Sequence, residues 1–194
     1  MHKGRLEALS DGVFAIIITI MVLELHMPQG ASLAALAAVT PKLFTYLLSF
    51  AFIAIYWNNH HHMLQATNRV NGAALWANLH LLFWLSLIPF VTDWMGEHFE
   101  PLPVAAYGVA LISAGTAYFI LSRVLVAAHG PDSLLARAFG RDVKGVVSLV
   151  TYAVAVALAF ISPRTACALY VVVALLWLAP DRRIERLLQA EERR

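Results

Sequence analysis

The stretch over residues 5–25, RLEALSDGVFAIIITIMVLEL, decides the fold predicted for this chain. It places four polar side chains, those of Arg5, Glu7, Ser10 and Asp11, directly before an apolar run long enough to cross a bilayer. A helix surrounded by lipid avoids charge this close to its hydrocarbon-spanning part, so these groups need partners from other helices. The stretch therefore predicts a transmembrane helix within a polytopic, all-α membrane protein.

The composition of the whole chain also indicates a membrane protein. Of its 194 residues, 60% are hydrophobic and 13% charged, and the mean hydropathy is +0.70. An ordinary soluble domain is about 25% charged. A single cysteine, Cys167, excludes an intrachain disulfide and a thiolate metal cluster. Glu7 and Asp11 interrupt the basic N-terminal region and no small-residue cleavage site follows, so we interpret the first span as a mature helix rather than a signal peptide.

Six apolar segments follow one another, each close to the length of about 17–25 residues that a membrane helix needs. They are separated by Pro and Gly residues and lie near 8–26, 42–60, 72–92, 103–126, 143–162 and 165–180. No repeat of about 20–50 residues is visible, which argues against a duplicated transporter. We predict a single six-helix domain over residues 1–180, followed by a charged cytoplasmic extension over residues 181–194.

The distribution of Lys and Arg predicts the orientation, because cytoplasmic connections carry an excess of them. With the N-terminus inside, only Lys42 and Arg164 of the 14 Lys and Arg residues fall on the outer side. The outer connections carry Asp93, Glu97 and Glu100 instead. Both termini are therefore predicted to be cytoplasmic, and the lack of a targeting signal favours a prokaryotic plasma membrane.

Polar side chains at the cytoplasmic ends of the first three spans are candidates for a buried network. The second span ends in residues 56–62, YWNNHHH, and the third carries Asn78 and His80 near its start. These lie at the predicted membrane depth of Ser10 and Asp11, and buried polar groups need partners. The prediction is a network of Arg5, Ser10, Asp11, a histidine of the second helix and Asn78. Simple stapling of helices is the open alternative.

Other chemistries have little support in the residues. Histidines at consecutive helix positions do not share a face, and no carboxylate or Cys lies at a ligand spacing beside residues 60–62, so no metal site is predicted. Ser10, Asp11 and a histidine lack the nucleophile elbow of a hydrolase. No glycine-rich phosphate loop occurs, and the basic residues are not interleaved with aromatics as in a nucleic-acid interface. We therefore predict no enzyme, no cofactor and no nucleic-acid partner.

One stripe of the first helix has an unusual composition. Ile16, Thr19, Ile20 and Leu23 recur at helical spacing and share one narrow face, with Glu24 at its far end. A single hydroxyl thus lies in an apolar stripe. From the residues alone, either ordinary helix packing or the lining of a pore explains it.

Three segments resemble the potassium channel family whose best-known member is the lysosomal transmembrane protein 175. Residues 5–20 resemble its first-helix signature Arg-x-x-x-Phe-Ser-Asp, with Leu9 in place of the Phe. Residues 57–61, WNNHH, resemble its second-helix Trp-x-x-His-His, and residues 85–90, LSLIPF, resemble its third-helix ending. The last three spans agree with the family only in number and length.

The resemblance implies a homotetramer in a lipid bilayer, with the first helix of each chain lining a central pore. It places the pore constriction at Ile16, followed by Ile20 and Leu23 with Thr19 beside them. The Ser10-Asp11 pair would stabilise the packing, and the resemblance adds further members to the polar network, Trp57, His60 and His61.

The implied function is a cation channel permeable to potassium. No Thr-Val-Gly-Tyr-Gly filter is present, so an apolar ring would select potassium over sodium only weakly, while Thr19 would soften the barrier and Glu24 would concentrate cations at the outer mouth. No helix carries the arginine pattern of a voltage sensor, so little voltage dependence is expected. A proton-coupled small transporter or a membrane scaffold that uses the Arg, Ser, Asp and His network is the alternative.

Overall fold

The computed structural model describes residues 3–130, 133–139 and 142–178, and the regular elements in these ranges are all α-helices. The nine helices of this described part are α1 (Lys3–Leu23), α2 (Leu33–Ala38), α3 (Thr40–Gln65), α4 (Gly72–Ser86), α5 (Ile88–Glu97), α6 (Pro101–His129), α7 (Leu134–Phe139), α8 (Val143–Ala159) and α9 (Pro163–Leu178). The predicted all-α class is confirmed. The predicted spans correspond to α1, α3, α4 with α5, α6, α8 and α9, and the predicted extension over 181–194 lies outside the described residues.

Helix starts follow ordinary capping chemistry. The Asn71 side chain accepts a hydrogen bond from Ala74 N at 2.8 Å at the start of α4, and Asp142 Oδ1 accepts one from Gly145 N at 2.8 Å at the start of α8. The helices α3, α5 and α6 instead have a proline among their first two residues, where its missing N–H is not needed. These signals place the helix boundaries within a few residues of the predicted ones.

The third predicted span is two helices rather than one. α4 ends at Ser86 and α5 begins at Ile88, because Pro89 lacks the N–H that would continue the helical hydrogen-bond ladder. The predicted end near residue 92 is too early, since α5 continues to Glu97. Gly72–Glu97 together forms a 26-residue segment that is long and apolar enough to cross a membrane.

Length and hydropathy single out three such segments among the described residues, namely Lys3–Leu23, Gly72–Glu97 and Pro101–His129. Val143–Ala159 and Pro163–Leu178 are apolar but shorter. α3 has 26 residues, but Lys42 near its start and the histidines near its end make it more polar.

α6 is the helix around which the second half of the chain packs, since it contacts α4, α5, α8 and α9. Its buried face is rich in small residues, which let neighbouring backbones approach closely. A Cβ added at Gly108 would overlap the Tyr170 hydroxyl. That hydroxyl donates to Val104 O at 3.1 Å, so α9 is fixed against the first turn of α6.

The first half of α3 and the helix α5 are joined by polar contacts that the sequence did not predict. Ser49 Oγ lies 2.7 Å from Thr92 Oγ1 and 2.9 Å from the Tyr107 hydroxyl, and all three residues are buried. Nearer the start of α3, Lys42 Nζ lies 2.6 Å from Glu97 Oε1 and 3.3 Å from Asp93 Oδ1. Buried hydrogen bonds therefore join α3 to both α5 and α6, and ion pairs join α3 to α5.

Candidate pore-lining helix and polar cluster

α1 contacts its own chain along only one face. Its buried residues are Leu6, Ser10, Phe14, Ile17 and Met21, which pack toward α3, α4 and α5. The predicted stripe lies on the other side, with Ile16 58%, Ile20 41% and Leu23 77% exposed and Thr19 also exposed. The stripe therefore does not pack within one chain. Only a lipid, a pore or another copy can cover it.

The polar groups of this face have defined orientations. Thr19 Oγ1 donates its proton to Ile16 O at 2.9 Å, which leaves the hydroxyl oxygen as an acceptor toward the uncovered side. Glu24 follows the end of α1 and is exposed. It borders an open groove of about 520 Å³ between α1, α4 and α5, which is also lined by Ile20, Asp93 and Glu97. An oxygen acceptor and carboxylates thus lie along and beyond the apolar stripe.

Three of the predicted network residues form a fully buried chain of hydrogen bonds. Asn78 Nδ2 donates to Ser10 Oγ at 3.0 Å, and Ser10 Oγ donates to Leu6 O at 2.8 Å. His60 Nε2 lies 2.7 Å from Asn78 Oδ1, and since an amide oxygen only accepts, the histidine donates. Ser10 and Asn78 are 0% and His60 2% exposed. This triad of Ser10, His60 and Asn78 joins α1, α3 and α4.

Three other predicted residues meet on an exposed surface beside the triad. Trp57 Nε1 donates to Asp11 Oδ1 at 3.0 Å, and the Trp57 and His61 rings stack with centroids 5.9 Å apart. Asp11, Trp57 and His61 are all exposed in the single chain. Burial of Asp11 would require a second copy over this surface.

Arg5 is not brought into either group. It is exposed on α1 and, among the described residues, forms no ion pair with Asp11. Positions five and six residues apart on a helix lie on different faces, so Arg5 points away from both Ser10 and Asp11. The single network predicted from the sequence is therefore, within one chain, a buried triad and a separate exposed group.

The three consecutive histidines have different surroundings. His60 points inward to Asn78, and His61 stacks on Trp57. His62 is partly buried, and its Nδ1 has no hydrogen-bond partner in the described structure. His80, also noted in the sequence, accepts from Trp84 Nε1 at 3.0 Å on an exposed face of α4. Within the described ranges, no three His, Cys, Asp or Glu residues are grouped as metal ligands.

The residues that sequence reasoning missed are the hydroxyls and charges of the outer half. Ser49, Thr92 and Tyr107 are single polar residues in apolar spans, and Lys42 was read only as an outer charge. The sequence signal that could have found the hydroxyls is their isolation within apolar helices, because such a hydroxyl has to find its hydrogen-bond partner inside the protein. Which of them meet depends on helix packing, which the sequence pattern does not specify.

Comparisons with known proteins give a consistent result. A family model described as "Endosomal/lysosomal potassium channel TMEM175" matches residues 5–89, from α1 into α5. A potassium channel of Chryseobacterium sp. (strain P1-3) is 51% identical over 97% of this chain and 99% of its own. A potassium channel of Chamaesiphon minutus is 34% identical over 83% of this chain and 86% of its own.

The human endosomal/lysosomal proton channel TMEM175 is 35% identical, but the match covers 34% of this chain and 16% of the human one. Among solved structures, the crystal structure of a lysosomal potassium-selective channel TMEM175 homologue from Chamaesiphon minutus matches with a TM-score of 0.78 and 28% identity. That match covers 91% of this chain and 96% of the other.

Proposed function

The chain belongs to the family of the endosomal/lysosomal potassium channel TMEM175, and from this membership we propose that it is a membrane channel that conducts potassium through a pore lined by α1. The observation that carries the proposal is the uncovered face of α1, on which Ile16 and Leu23 are more than half exposed. One chain cannot enclose a pore with a single helix face. The pore therefore requires several copies around one axis, and we propose a homotetramer.

Ile16 forms the constriction in this proposal. Four isoleucine side chains around an axis exclude water, so an ion must lose part of its hydration shell to pass. Potassium loses that shell at a lower cost than sodium, and the pore selects it weakly. Ile20 and Leu23 extend the apolar section on the same exposed face.

Two oxygen-bearing side chains favour cations over anions. The Thr19 hydroxyl donates to Ile16 O, so its lone pairs, and not its proton, face the pore. Four such oxygens partly replace the lost water. Glu24 and the carboxylates of the adjoining groove raise the cation concentration at the outer mouth.

The buried triad positions α1 in this arrangement. Its hydrogen bonds hold the cytoplasmic half of α1 against α3 and α4, so the face that carries Ile16 stays turned away from its own chain. The alternative of a proton-coupled transporter has weaker support. Asn78 separates His60 from Ser10, and an amide does not readily pass on a proton, so the triad is better suited to a structural role.

A flux assay tests the proposed function directly. Purified protein reconstituted into liposomes with a potassium gradient should release potassium at once, and sodium more slowly, without an opposing proton gradient. Protein-free liposomes and liposomes with heat-denatured protein are the controls. A correctly folded preparation that passes neither ion, or that moves potassium only when a proton gradient is imposed, would refute the channel and favour the transporter.

We further propose that the channel lies in the cell membrane with both termini in the cytoplasm, because nearly all Lys and Arg residues then lie inside. A membrane-impermeant thiol reagent tests this on intact cells. One variant carries a single cysteine beside residue 3, the other a single cysteine at Gln29 in the outer connection, and only one of the two should react. The outer cysteine should be labelled, and the inner one only after lysis. Labelling of the residue-3 cysteine in intact cells would reverse the orientation.

A further inference from the structure

α6 exposes one narrow stripe that is separate from the exposed face of α1. Val109, Thr116, Ile120 and Arg123 are exposed and recur at spacings of seven, four and three residues, so they share one face of the helix. The buried residues of α6 face α4, α5, α8 and α9 instead. Arg123 is the only Lys, Arg, Asp or Glu among the 29 residues of this helix. A single cation thus lies in an otherwise uncharged stripe of a membrane-spanning helix.

The Arg123 guanidinium has no anionic partner among the residues that the structure describes. It lies 5.7 Å from the centroid of the Phe119 ring, one turn earlier on the helix. No ion pair of the described ranges includes it. A ring face attracts a guanidinium but leaves its five N–H donors unused, and an unpaired cation on a lipid-facing surface is costly. Arg123 therefore needs an anion from outside the chain.

The depth of Arg123 indicates which anion can reach it. From Pro101 to Arg123 the helix rises about 33 Å, at about 1.5 Å per residue, and the hydrocarbon core of a bilayer is about 30 Å thick. With Pro101 at the outer boundary, Arg123 lies at the inner boundary, where its long side chain is within reach of lipid phosphates. This step rests on the orientation proposed above.

We propose that Arg123 and Phe119 form a binding site for an anionic phospholipid of the inner leaflet. The forked donors of the guanidinium suit a phosphate group, and the Phe119 ring holds the guanidinium against the helix. The acyl chains lie along the uncharged stripe toward Val109. A zwitterionic lipid carries its own ammonium group beside the phosphate, so it gains less from Arg123. The site therefore distinguishes lipids by the net charge of their headgroups.

Lipid titrations of the purified, detergent-solubilised protein test the proposal. Native mass spectrometry counts the bound molecules, and the melting temperature gives their apparent affinity. The probes are dioleoylphosphatidylglycerol, dioleoylphosphatidylcholine and glycerol 3-phosphate, which is an anionic phosphate without acyl chains. We expect the phosphatidylglycerol to bind about fivefold more tightly than the phosphatidylcholine, and glycerol 3-phosphate to bind weakest. Equal affinity for the two lipids, or glycerol 3-phosphate binding as tightly as phosphatidylglycerol, would overturn the proposal.

These titrations are independent of the proposed function, because they involve no ion flux. Cysteine labelling tests the orientation separately, and a reversed orientation would change the leaflet but not the lipid preference.

The variant Arg123→Gln removes the cation and keeps a polar side chain on the exposed stripe. The preference for phosphatidylglycerol should disappear, with the affinity for phosphatidylcholine unchanged. Arg69→Gln is the matched control, because Arg69 is also exposed and lies in the connection between α3 and α4, on the same proposed side of the membrane. It should retain the preference. An equal loss in both variants would mean that only the overall charge attracts anionic lipids, which would refute the site.

The variant Phe119→Leu tests the second member of the site. Without the ring face the guanidinium is held less firmly, so phosphatidylglycerol should bind about threefold more weakly. Phe160→Leu is the control, since Phe160 is also an exposed phenylalanine but follows α8 at its other end. Unchanged affinity in Phe119→Leu would overturn the two-residue site. A changed elution volume of lipid-free Arg123→Gln would show that the stripe contacts another copy of the chain, which would also overturn it.

Discussion

Replacing Ile16 by asparagine should raise the single-channel conductance and reduce the preference for potassium over sodium. Ile16 is 58% exposed on the uncovered face of α1, so the substitution changes the proposed pore surface and not the core of the chain. Four amides at the constriction hold water, which removes the dehydration barrier that separates the two ions. Because a barrier lowered by about 1.4 kcal/mol raises a rate about tenfold, we expect a conductance change approaching that size. Planar bilayer recording with potassium and sodium on opposite sides measures both quantities.

Val150→Asn is the matched control for this experiment. Val150 is 59% exposed and lies on α8, remote from α1, so it has the same exposure without a place on the proposed pore face. It should leave conductance and selectivity unchanged. Ile17→Asn is a poorer control, since Ile17 is 2% exposed and its replacement disrupts packing. If Val150→Asn alters the permeability ratio and Ile16→Asn does not, the pore lies on another face.

Replacing Asn78 by leucine should lower the melting temperature sharply. Asn78 is the central member of the buried triad, so its removal leaves both His60 Nε2 and Ser10 without a partner on that side. Each buried polar group left unpaired costs about 1–3 kcal/mol, and two groups are affected. We expect a loss of about 2–4 kcal/mol in the free energy of unfolding. Thermal melting and elution volume of the detergent-solubilised protein measure it.

Asn58→Leu provides the comparison, because Asn58 is an exposed asparagine on α3 two residues before His60. It should melt close to the unsubstituted protein. Equal melting temperatures for Asn78→Leu and Asn58→Leu would mean that the triad does not stabilise the fold. A loss of oligomer in Asn78→Leu, with helical content retained, would indicate that the triad acts mainly by orienting α1.

The sequence predicts well those features that depend on one helix. The grouping of the stripe residues on one face of α1 follows from helical periodicity, because residues at spacings of three and four share a face in any α-helix, whereas the exposure of that face does not. The triad was predicted in part, since Ser10, a histidine and Asn78 lie at similar depths and must satisfy each other. The exclusion of Arg5 and the exposure of Asp11 could not be foreseen, because they depend on how α1 is rotated against α3 and α4.

The outer half shows the same limit more strongly. Pro89 was read as part of the third span, although its effect on the hydrogen-bond ladder ends one helix and starts another. The meeting of Ser49, Thr92 and Tyr107 requires three helices to approach in one register. The spacing of residues within a single segment does not specify how three helices approach one another.

The break at Leu87 has a mechanical consequence for the third span. α5 packs far more extensively on α3 than on α4, and Lys42 and Ser49 of α3 fasten it there. α3 is therefore joined to α5 near Lys42 and Ser49, and to α4 and α1 at its other end through His60 of the triad. Because the helix is interrupted at Leu87, a tilt of α3 would change the angle between α4 and α5 there, and α5 borders the groove beside Ile20 and Glu24. The interruption at Leu87 thus provides a joint between the triad and this groove, at which the two halves of the span can change their angle while every helical turn stays intact.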